Sequence, residues 1–192
     1  MKRLTSLTIA LVLPAVLAAQ TPAPAPVANP IAAAFKARIT GMHRNIAQAF
    51  DSIPEAKFTY KPTPAQLSIG YIAQHVASDN YLFCDQFGAK KSSLPEKDTA
   101  IPDSVKATWP KDTLVAKLKA SFAFCQEAIG QLEDGKLGDP VTLTFQGQSR
   151  SVTRIGMVLG HALDLADHYS QLANYMRLNG MIPPSALPRP KP

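Results

Sequence analysis

Cysteine is scarce in this sequence, and the motifs that most often carry chemistry are missing. The 192 residues include two cysteines and no C-x-x-C pair, so the sequence predicts no cysteine-ligated zinc site. There is no G-x-S-x-G motif, which argues against the usual serine nucleophile, and no glycine-rich loop that would hold a phosphate. The ten glycines are dispersed, so nothing in the sequence indicates nucleotide binding.

Positive charge is also too limited and too scattered for a nucleic-acid partner. Lys and Arg total 20 and Asp and Glu total 14, a formal net charge of +6, and no basic run is longer than Lys90-Lys91. A protein that binds nucleic acid normally concentrates its positive charge in a patch or stripe, so we expect no nucleic-acid partner. With 46% hydrophobic and 18% charged residues, the composition is that of one folded domain.

The start of the sequence resembles a secretory signal peptide. Lys2 and Arg3 are followed by a largely apolar stretch over residues 4–17, and small residues follow it where cleavage is expected. A membrane anchor is the alternative, but it needs about 20 apolar residues, and this stretch is shorter and contains a proline. We therefore expect a signal peptide over residues 1–19, a Pro/Ala-rich linker over residues 20–29, and export to the periplasm or the extracellular space without a remaining membrane span.

Export would place both cysteines in an oxidising compartment. Cys84 and Cys125 are an even number in such a chain, so a disulfide between them is the default expectation. Two buried thiols are the alternative, because the sequence alone does not show that the sulfur atoms meet.

Proline placement predicts four long helices. A proline inside a helix costs about 3 kcal/mol, and the 17 prolines leave four long stretches without one. Apolar residues recur three or four positions apart in these stretches, and the stripe in the last one includes Leu159 and Leu178. The sequence therefore predicts an all-α fold, a four-helix bundle over residues 30–185 followed by a Pro-rich tail at 186–192. The four windows are 31–53, 65–94, 111–139 and 141–182.

Signals for the start of a helix accompany each window. The candidates are Asn29-Pro30, Thr63 with Pro64 and Gln66, Asp112, and Ser151 or Thr153. The connection from about Lys90 to Lys111 exceeds the length that a hairpin between antiparallel helices needs. It could run the length of the bundle and leave the second and third helices parallel. Residues 141–150 indicate a short β-hairpin.

Histidines are the main candidates for chemistry. His161, Asp164 and His168 lie within about 60° of one another around a helix, and Asp164 and His168 have the i, i+4 spacing that lets two side chains reach one metal ion. His75 lies on the second helix, and Asp79 follows it by one turn. The alternative is that these are hydrogen-bonded core histidines, which are commoner than ligands.

The remaining histidine, His43, has no histidine or carboxylate one turn away. Ile39 and Ala47 flank it at that spacing on the first helix. We therefore interpret His43 as a surface or core-edge residue without a functional role.

Two segments of the sequence resemble the signature segments of the DinB-like (DinB/YfiT) superfamily. The first is LSIGYIAQHVA at residues 67–77, and the second is GHALDLADHYSQLANYMRLNGMIPP at residues 160–184. The second is the more specific, because it combines an H-Y-x-Q-L run, a Y-x-R and a Gly-x-x-Pro-Pro exit. The resemblance implies a four-helix bundle over roughly residues 30–185 with an up-down-down-up path.

Members of this superfamily typically carry a three-histidine site for a divalent metal ion. By resemblance, His75 matches the ligand on the second helix and His168 matches the second ligand on the fourth helix. The first ligand of the fourth helix falls on Asp164, and a carboxylate is itself a ligand for Zn, Ni, Mn or Fe. The resemblance thus implies the metal ligands His75, Asp164 and His168. From its spacing, His161 could replace Asp164 as a ligand or support the ligands from outside, and Asp79, one turn after His75, is a second supporting residue.

The resemblance leaves three kinds of function open. Some members are thiol-dependent transferases or isomerases, so the first is a metal-dependent hydrolase or transferase acting on an unidentified small molecule. The second is a metal- or ligand-binding bundle without turnover, and the third is a structural or interaction bundle with a decayed metal site. A homodimer is also left open. Metal analysis of the purified protein would separate the first two from the third.

Overall fold

The computed structural model describes residues 26–89, 91, 96–145 and 147–188. The predicted signal peptide lies outside the described residues, as do residues 20–25 of the predicted linker and the last four residues of the tail. No helix in the described part of the chain has the length and apolar character needed to cross a membrane. The helices are α1 (Pro30–Ser52), α2 (Ile69–Cys84), α3 (Glu96–Thr99), α4 (Asp103–Lys106), α5 (Lys111–Ile129) and α6 (Arg154–Leu178), and the strands are β1 (Pro140–Phe145) and β2 (Gln148–Thr153).

The long helices α1, α2, α5 and α6 form the predicted bundle, and α2 and α5 run parallel. Asn80 donates a hydrogen bond to Ser121 over 2.8 Å, and one turn further along both helices Cys84 meets Cys125. Residue numbers therefore increase together along the two helices. The long connection between them, which contains α3 and α4, makes this parallel arrangement possible, as predicted.

The other neighbouring helices run antiparallel. Early in α1, Thr40 donates to Gln126 near the end of α5, and late in α1, Asp51 pairs with Lys119 earlier in α5. α6 runs antiparallel to α2, as the contacts of the candidate site show. The path is therefore up-down-down-up, which confirms the prediction.

The first turn of α1 is capped by a residue distant in the sequence. Asn29 precedes the helix as predicted, but its side chain does not cap it; its Oδ1 accepts a hydrogen bond from the Asp134 N–H at 2.9 Å. The Asp134 carboxylate accepts from the N–H groups of Ile31 and Ala32, at 3.0 and 2.8 Å. A carboxylate at this position accepts hydrogen bonds from N–H groups that have no partner within the helix, and its negative charge interacts favourably with the positive end of the helix dipole. It also ties α1 to the segment that follows α5.

α2 begins at Ile69, and the predicted helix start at Thr63 is wrong. The Gln66 N–H donates to the Thr63 carbonyl over 3.1 Å, which closes a turn before the helix. Ser68 is the actual N-cap, because its hydroxyl accepts from the Tyr71 N–H at 3.2 Å. The Thr-Pro-x-Gln pattern thus marks a turn and not the first turn of α2.

The hairpin and the start of α6 agree with the sequence. β1 and β2 pair antiparallel. The hairpin spans residues 140–153, so it begins one residue before the predicted segment 141–150 and ends three residues after it. Thr153 caps α6 and accepts a hydrogen bond from the Gly156 N–H at 3.3 Å. α5 follows Pro110, and Asp112 lies in its first turn without acting as the cap.

The core lies between the four long helices and is built from apolar side chains. The stripe predicted for α6 is wrong at its outer members, because Leu159 is 47% exposed and Leu178 is 58% exposed. Its inner members are buried, which confirms the helix face that points into the bundle. These buried members are Val158, Leu165, Leu172 and Met176.

Candidate metal centre

Three ligand side chains meet between α2 and α6. His75 extends from α2, and Asp164 and His168 lie one turn apart on α6; each offers one ligand atom, and these atoms lie within 4.8 Å of one another. The rings of His75 and His168 are edge to face with centroids 4.7 Å apart. His168 Nε2 lies 3.3 Å from Asp164 Oδ1. The structure therefore brings together the three residues that the sequence indicated as metal ligands.

Buried polar atoms of this cluster have no partner in the protein. Asp164 Oδ2 and His168 Nδ1 are buried and lack a hydrogen-bond partner among the described residues, whereas about nine in ten buried polar atoms in proteins have one. Two imidazoles and one carboxylate are a donor set that suits Zn, Ni, Mn or Fe. The residues present therefore fit a divalent cation.

The charges of the cluster depend on one another. Burial opposes protonation of His168, but the hydrogen bond and negative charge of Asp164 outweigh it and raise the pKa of the imidazole. Burial, followed by the positive charge of His168, lowers the pKa of His75. A metal ligand must be a deprotonated imidazole nitrogen, so His75 is ready to bind, whereas a cation would compete with a proton at His168.

Asp79 lies at the edge of the cluster, one turn after His75 on α2. Its Oδ2 is 3.3 Å from His75 Nε2. Burial and the nearby charge of Asp164 raise the pKa of Asp79 to about 7. A carboxyl at this distance can fix the orientation of the imidazole ring; the supporting role indicated for Asp79 by the sequence stays a prediction.

A cleft of about 860 Å³ opens beside the cluster. His75 and Asp79 form part of its wall, and β2 contributes Ser149 and Arg150. Sequence analysis did not identify these two hairpin residues, because no motif links the hairpin to the histidines. Much of the remaining wall is apolar, formed by Leu82, Phe83, Leu143, Val152 and Met157.

His161 lies beside the cysteine pair and not around the predicted metal ligands. Its Nε2 is 2.8 Å from Asn80 Oδ1 and 3.9 Å from the sulfur atoms of both Cys84 and Cys125. The two sulfur atoms lie at disulfide distance, as predicted. The i, i+3 spacing of His161 and Asp164 leaves them on one helix face but at successive levels of the bundle.

His43 is buried, and its interpretation as a surface or core-edge residue is wrong. Only 4% of its surface is exposed, and its ring stacks on Phe122 with centroids 4.2 Å apart. One ring nitrogen lies within 4.8 Å of the ligand atoms of Cys125 and His161. Because these partners come from other helices, residue spacing along α1 could not reveal them.

Comparison with solved structures shows the fold. A DinB-like protein from Bacillus cereus ATCC 10987 superposes with a TM-score of 0.58 at 16% identity, covering 78% of this chain and 93% of that one. A conserved protein from Enterococcus faecalis has a TM-score of 0.57 at 17% identity and coverages of 77% and 96%. A mycothiol-dependent maleylpyruvate isomerase has a TM-score of 0.58 at 12% identity, covering 73% of this chain and 60% of that one.

Sequence comparison gives the family. The comparison with curated proteins found no match. A profile described as the DinB superfamily matches residues 38–172, which is more than half of the chain and includes both α2 and the histidine-bearing part of α6. The chain therefore belongs to the DinB superfamily.

Proposed function

We propose that the protein binds a divalent metal ion through His75, Asp164 and His168 and acts as a metal-dependent hydrolase or transferase on a small molecule in the adjoining cleft. One observation carries this proposal: three ligand atoms converge within 4.8 Å of one another, and one of the three residues, His75, forms part of the wall of a cleft of about 860 Å³. Structural zinc sites are closed by four protein ligands, whereas catalytic sites have three and keep a position open. Three ligands beside a cleft fit the catalytic kind.

The chemistry divides between the ion and the chain. A divalent cation held by these residues would supply Lewis acidity toward an oxygen or sulfur group of the substrate. Asp164 provides the negative charge that favours a cation between two imidazoles, and Asp79 orients the ring of His75. The apolar part of the cleft wall keeps water away from the reacting group, which strengthens electrostatic interactions there.

The lining of the cleft favours a substrate with an apolar portion and an anionic group. Arg150 on β2 lines the cleft and offers a guanidinium that suits a carboxylate. One of the structural neighbours is a maleylpyruvate isomerase that depends on mycothiol. This neighbour supports carboxylate-bearing substrates and low-molecular-weight thiols as the first compounds to test.

Metal binding is tested by elemental analysis of the purified protein and by calorimetric titration with Zn, Ni and Mn. His75→Ala and Asp164→Ala should each abolish binding at this site. Asp167→Ala is the matched control, because Asp167 lies on the same helix, is exposed and is not a member of the cluster. Metal binding of unchanged affinity in His75→Ala would contradict the ligand set.

Activity is tested separately, with the metal-loaded protein, a panel of carboxylate-bearing esters and a thiol acceptor. Turnover that requires the metal and weakens in Arg150→Gln would support the proposal. Metal binding without any turnover would favour a binding bundle, and absence of metal binding would favour a decayed site.

A further inference from the structure

A second group of potential ligands lies inside the bundle, and each long helix contributes one residue. We call it the core cluster: His43 from α1, Cys84 from α2, Cys125 from α5 and His161 from α6. His161 Nε2 is 3.9 Å from each sulfur atom, and a nitrogen of His43 lies within 4.8 Å of the ligand atoms of Cys125 and His161. All four side chains are buried, with exposures of 4% or less.

The two imidazoles of the core cluster each have one buried nitrogen without a partner. Gln126 Oε1 accepts from the Thr40 hydroxyl at 2.9 Å, so its amide nitrogen donates to His43 Nδ1 at 3.0 Å. His43 Nε2 is buried and has no hydrogen-bond partner among the described residues, and the same holds for His161 Nδ1. Burial lowers the pKa of both rings to about 3. Both are therefore neutral at pH 7, as metal ligands must be.

We propose that the core cluster is a buried zinc(II) site whenever its two cysteines are in the dithiol form. The sequence alone indicated no cysteine-ligated zinc site, because the cysteines form no C-x-x-C pair; the fold brings them together from two helices instead. Two cysteine sulfurs and two imidazole nitrogens are a donor set that closes a tetrahedral zinc ion. With Zn–S at about 2.3 Å and Zn–N at about 2.0–2.1 Å, neighbouring S and N ligands of such an ion are about 3.5 Å apart. The observed 3.9 Å between His161 Nε2 and each sulfur is close to this separation.

Zinc and the disulfide would exclude each other, because both need the same two sulfur atoms. When zinc binds the dithiol form, both cysteine thiols lose a proton to solvent, and two Zn–S bonds form. When a disulfide-bearing oxidant acts on the zinc-bound form, the Cys84–Cys125 bond forms and zinc is released. The two electrons pass to the oxidant's own disulfide, which becomes a dithiol. The core cluster is thus a cross-link in either state.

Two neighbours have to move when zinc enters. His43 Nδ1 accepts from the Gln126 amide nitrogen, so the His43 proton is on Nε2; zinc at Nε2 would shift this proton to Nδ1, and the Gln126 amide would have to turn its oxygen toward the ring. The amide nitrogen of Asn80 donates a hydrogen bond to the Ser121 hydroxyl at 2.8 Å. The amide oxygen, Oδ1, therefore faces His161 and accepts from its Nε2 at 2.8 Å. Zinc would replace the proton at His161 Nε2, and the proton would shift to Nδ1, the nitrogen that has no partner. The Asn80 amide then gives up this hydrogen bond, while its link to Ser121 can remain.

The proposal is tested on the full chain carrying Asp164→Ala, which removes metal binding at the candidate metal centre. The protein is reduced with a phosphine in denaturant and refolded without oxygen in the presence of Co(II), which reports thiolate ligation through its charge-transfer absorption. We expect one equivalent of Co(II) with tetrahedral thiolate bands, displaced by zinc, in the reduced protein. The disulfide form should show none of these Co(II)–thiolate absorption bands.

His43→Phe and His161→Phe test the imidazole ligands, and both keep the disulfide, so their folding can be verified in the oxidised form. Each should weaken zinc binding of the reduced protein by about 10-fold or more, whereas Gln126→Ala, which contacts His43 from outside, should weaken it less. A reduced protein that refolds without thiolate bands would overturn the proposal. So would zinc affinity unchanged in both histidine variants, because the thiols alone would then account for binding.

Discussion

Two buried histidines should make the stability of this fold sensitive to acid. Burial lowers the pKa of His43 and of His161 to about 3, from 6.5 for the free side chain. A group whose pKa is lower in the folded state stabilises the fold fully above its unfolded pKa, and this contribution is lost as the pH falls toward the folded value. The free energy of unfolding should therefore decrease from about pH 6.5 down to about pH 3.

The magnitude follows from the two pKa values. Between about pH 6 and about pH 4, each histidine should remove on the order of 2–3 kcal/mol from the free energy of unfolding. Asp79 acts in the opposite direction, because burial raises its pKa to about 7 and its protonated form is favoured in the folded state. The wild-type curve contains both effects, so a comparison of variants is needed to isolate one histidine.

His43→Phe is the informative variant, because it keeps an aromatic ring against Phe122 and removes the titrating group. Urea unfolding of the disulfide-intact protein in chelator, at several pH values from about 4 to 7, should show that the variant loses on the order of 2–3 kcal/mol less than the wild type. The neutral groups that face His43 are Phe122 and Gln126, and the ionisable one is His161. His161 is neutral in the folded state over this range, and its titration in the unfolded state is common to both proteins.

Phe122→Leu is the control for this comparison. It disturbs the same ring contact without removing His43, so it should lower the free energy of unfolding by a similar amount at every pH. Parallel curves for the wild type and His43→Phe would refute the reasoning, because they would show that His43 takes up its proton equally well in the folded state.

Three other outcomes can be measured directly. Asp164→His should preserve or tighten divalent-metal binding and Asp164→Ala should weaken it strongly; calorimetry showing equally weak binding by all three proteins would mean that Asp164 is no ligand. Mass spectrometry without reductant should find Cys84 bonded to Cys125, and two alkylatable thiols in the native protein would contradict this. Asp134→Ala should lower the free energy of unfolding by about 1 kcal/mol, because the first turn of α1 loses its acceptor, and Glu133→Ala should change it less; equal effects would argue against the cap.

The long helices could be predicted because proline is disfavoured inside helices, so stretches without proline mark them. The start of α2 could not be predicted. Its first N–H groups are satisfied by distant backbone: Ile69 donates to the Tyr60 carbonyl at 3.1 Å and Gly70 to the Phe58 carbonyl at 2.8 Å. A Cβ at Gly70 would clash with the Ala107 carbonyl oxygen, so the helix also starts where a glycine allows close approach. Local capping patterns contain no information about such tertiary contacts.

The candidate site divides in the same way. The spacing of Asp164 and His168 on one helix indicated that pair, and the position of His75 on the apolar side of the second helix indicated the third member, which the family resemblance also matched to a ligand. Arg150 and His43 were missed for one physical reason: each meets its partners only after the chain has folded, Arg150 through the hairpin and His43 across three helices. Periodicity describes which residues share a face of one element, and not which faces meet.

The two ligand clusters occupy separate layers of the bundle. On α2, Cys84 follows His75 by nine residues, which is about 13 Å along the helix axis. On α6, His168 follows His161 by seven residues, about 10 Å. Because α2 and α6 are antiparallel, His75 and His168 meet at one level while Cys84 and His161 meet at the other.

This separation predicts that the layers act independently. Effects at sites more than about 7–10 Å apart without shared partners usually add within about 0.5 kcal/mol, and the fully buried, apolar Leu165 occupies α6 between the two levels. The change in unfolding free energy for His43→Phe combined with Asp164→Ala should therefore equal the sum of the two single changes. Urea unfolding of the four proteins in chelator at neutral pH measures this. A coupling well above that limit would mean that the two layers are energetically linked through the packing of the bundle.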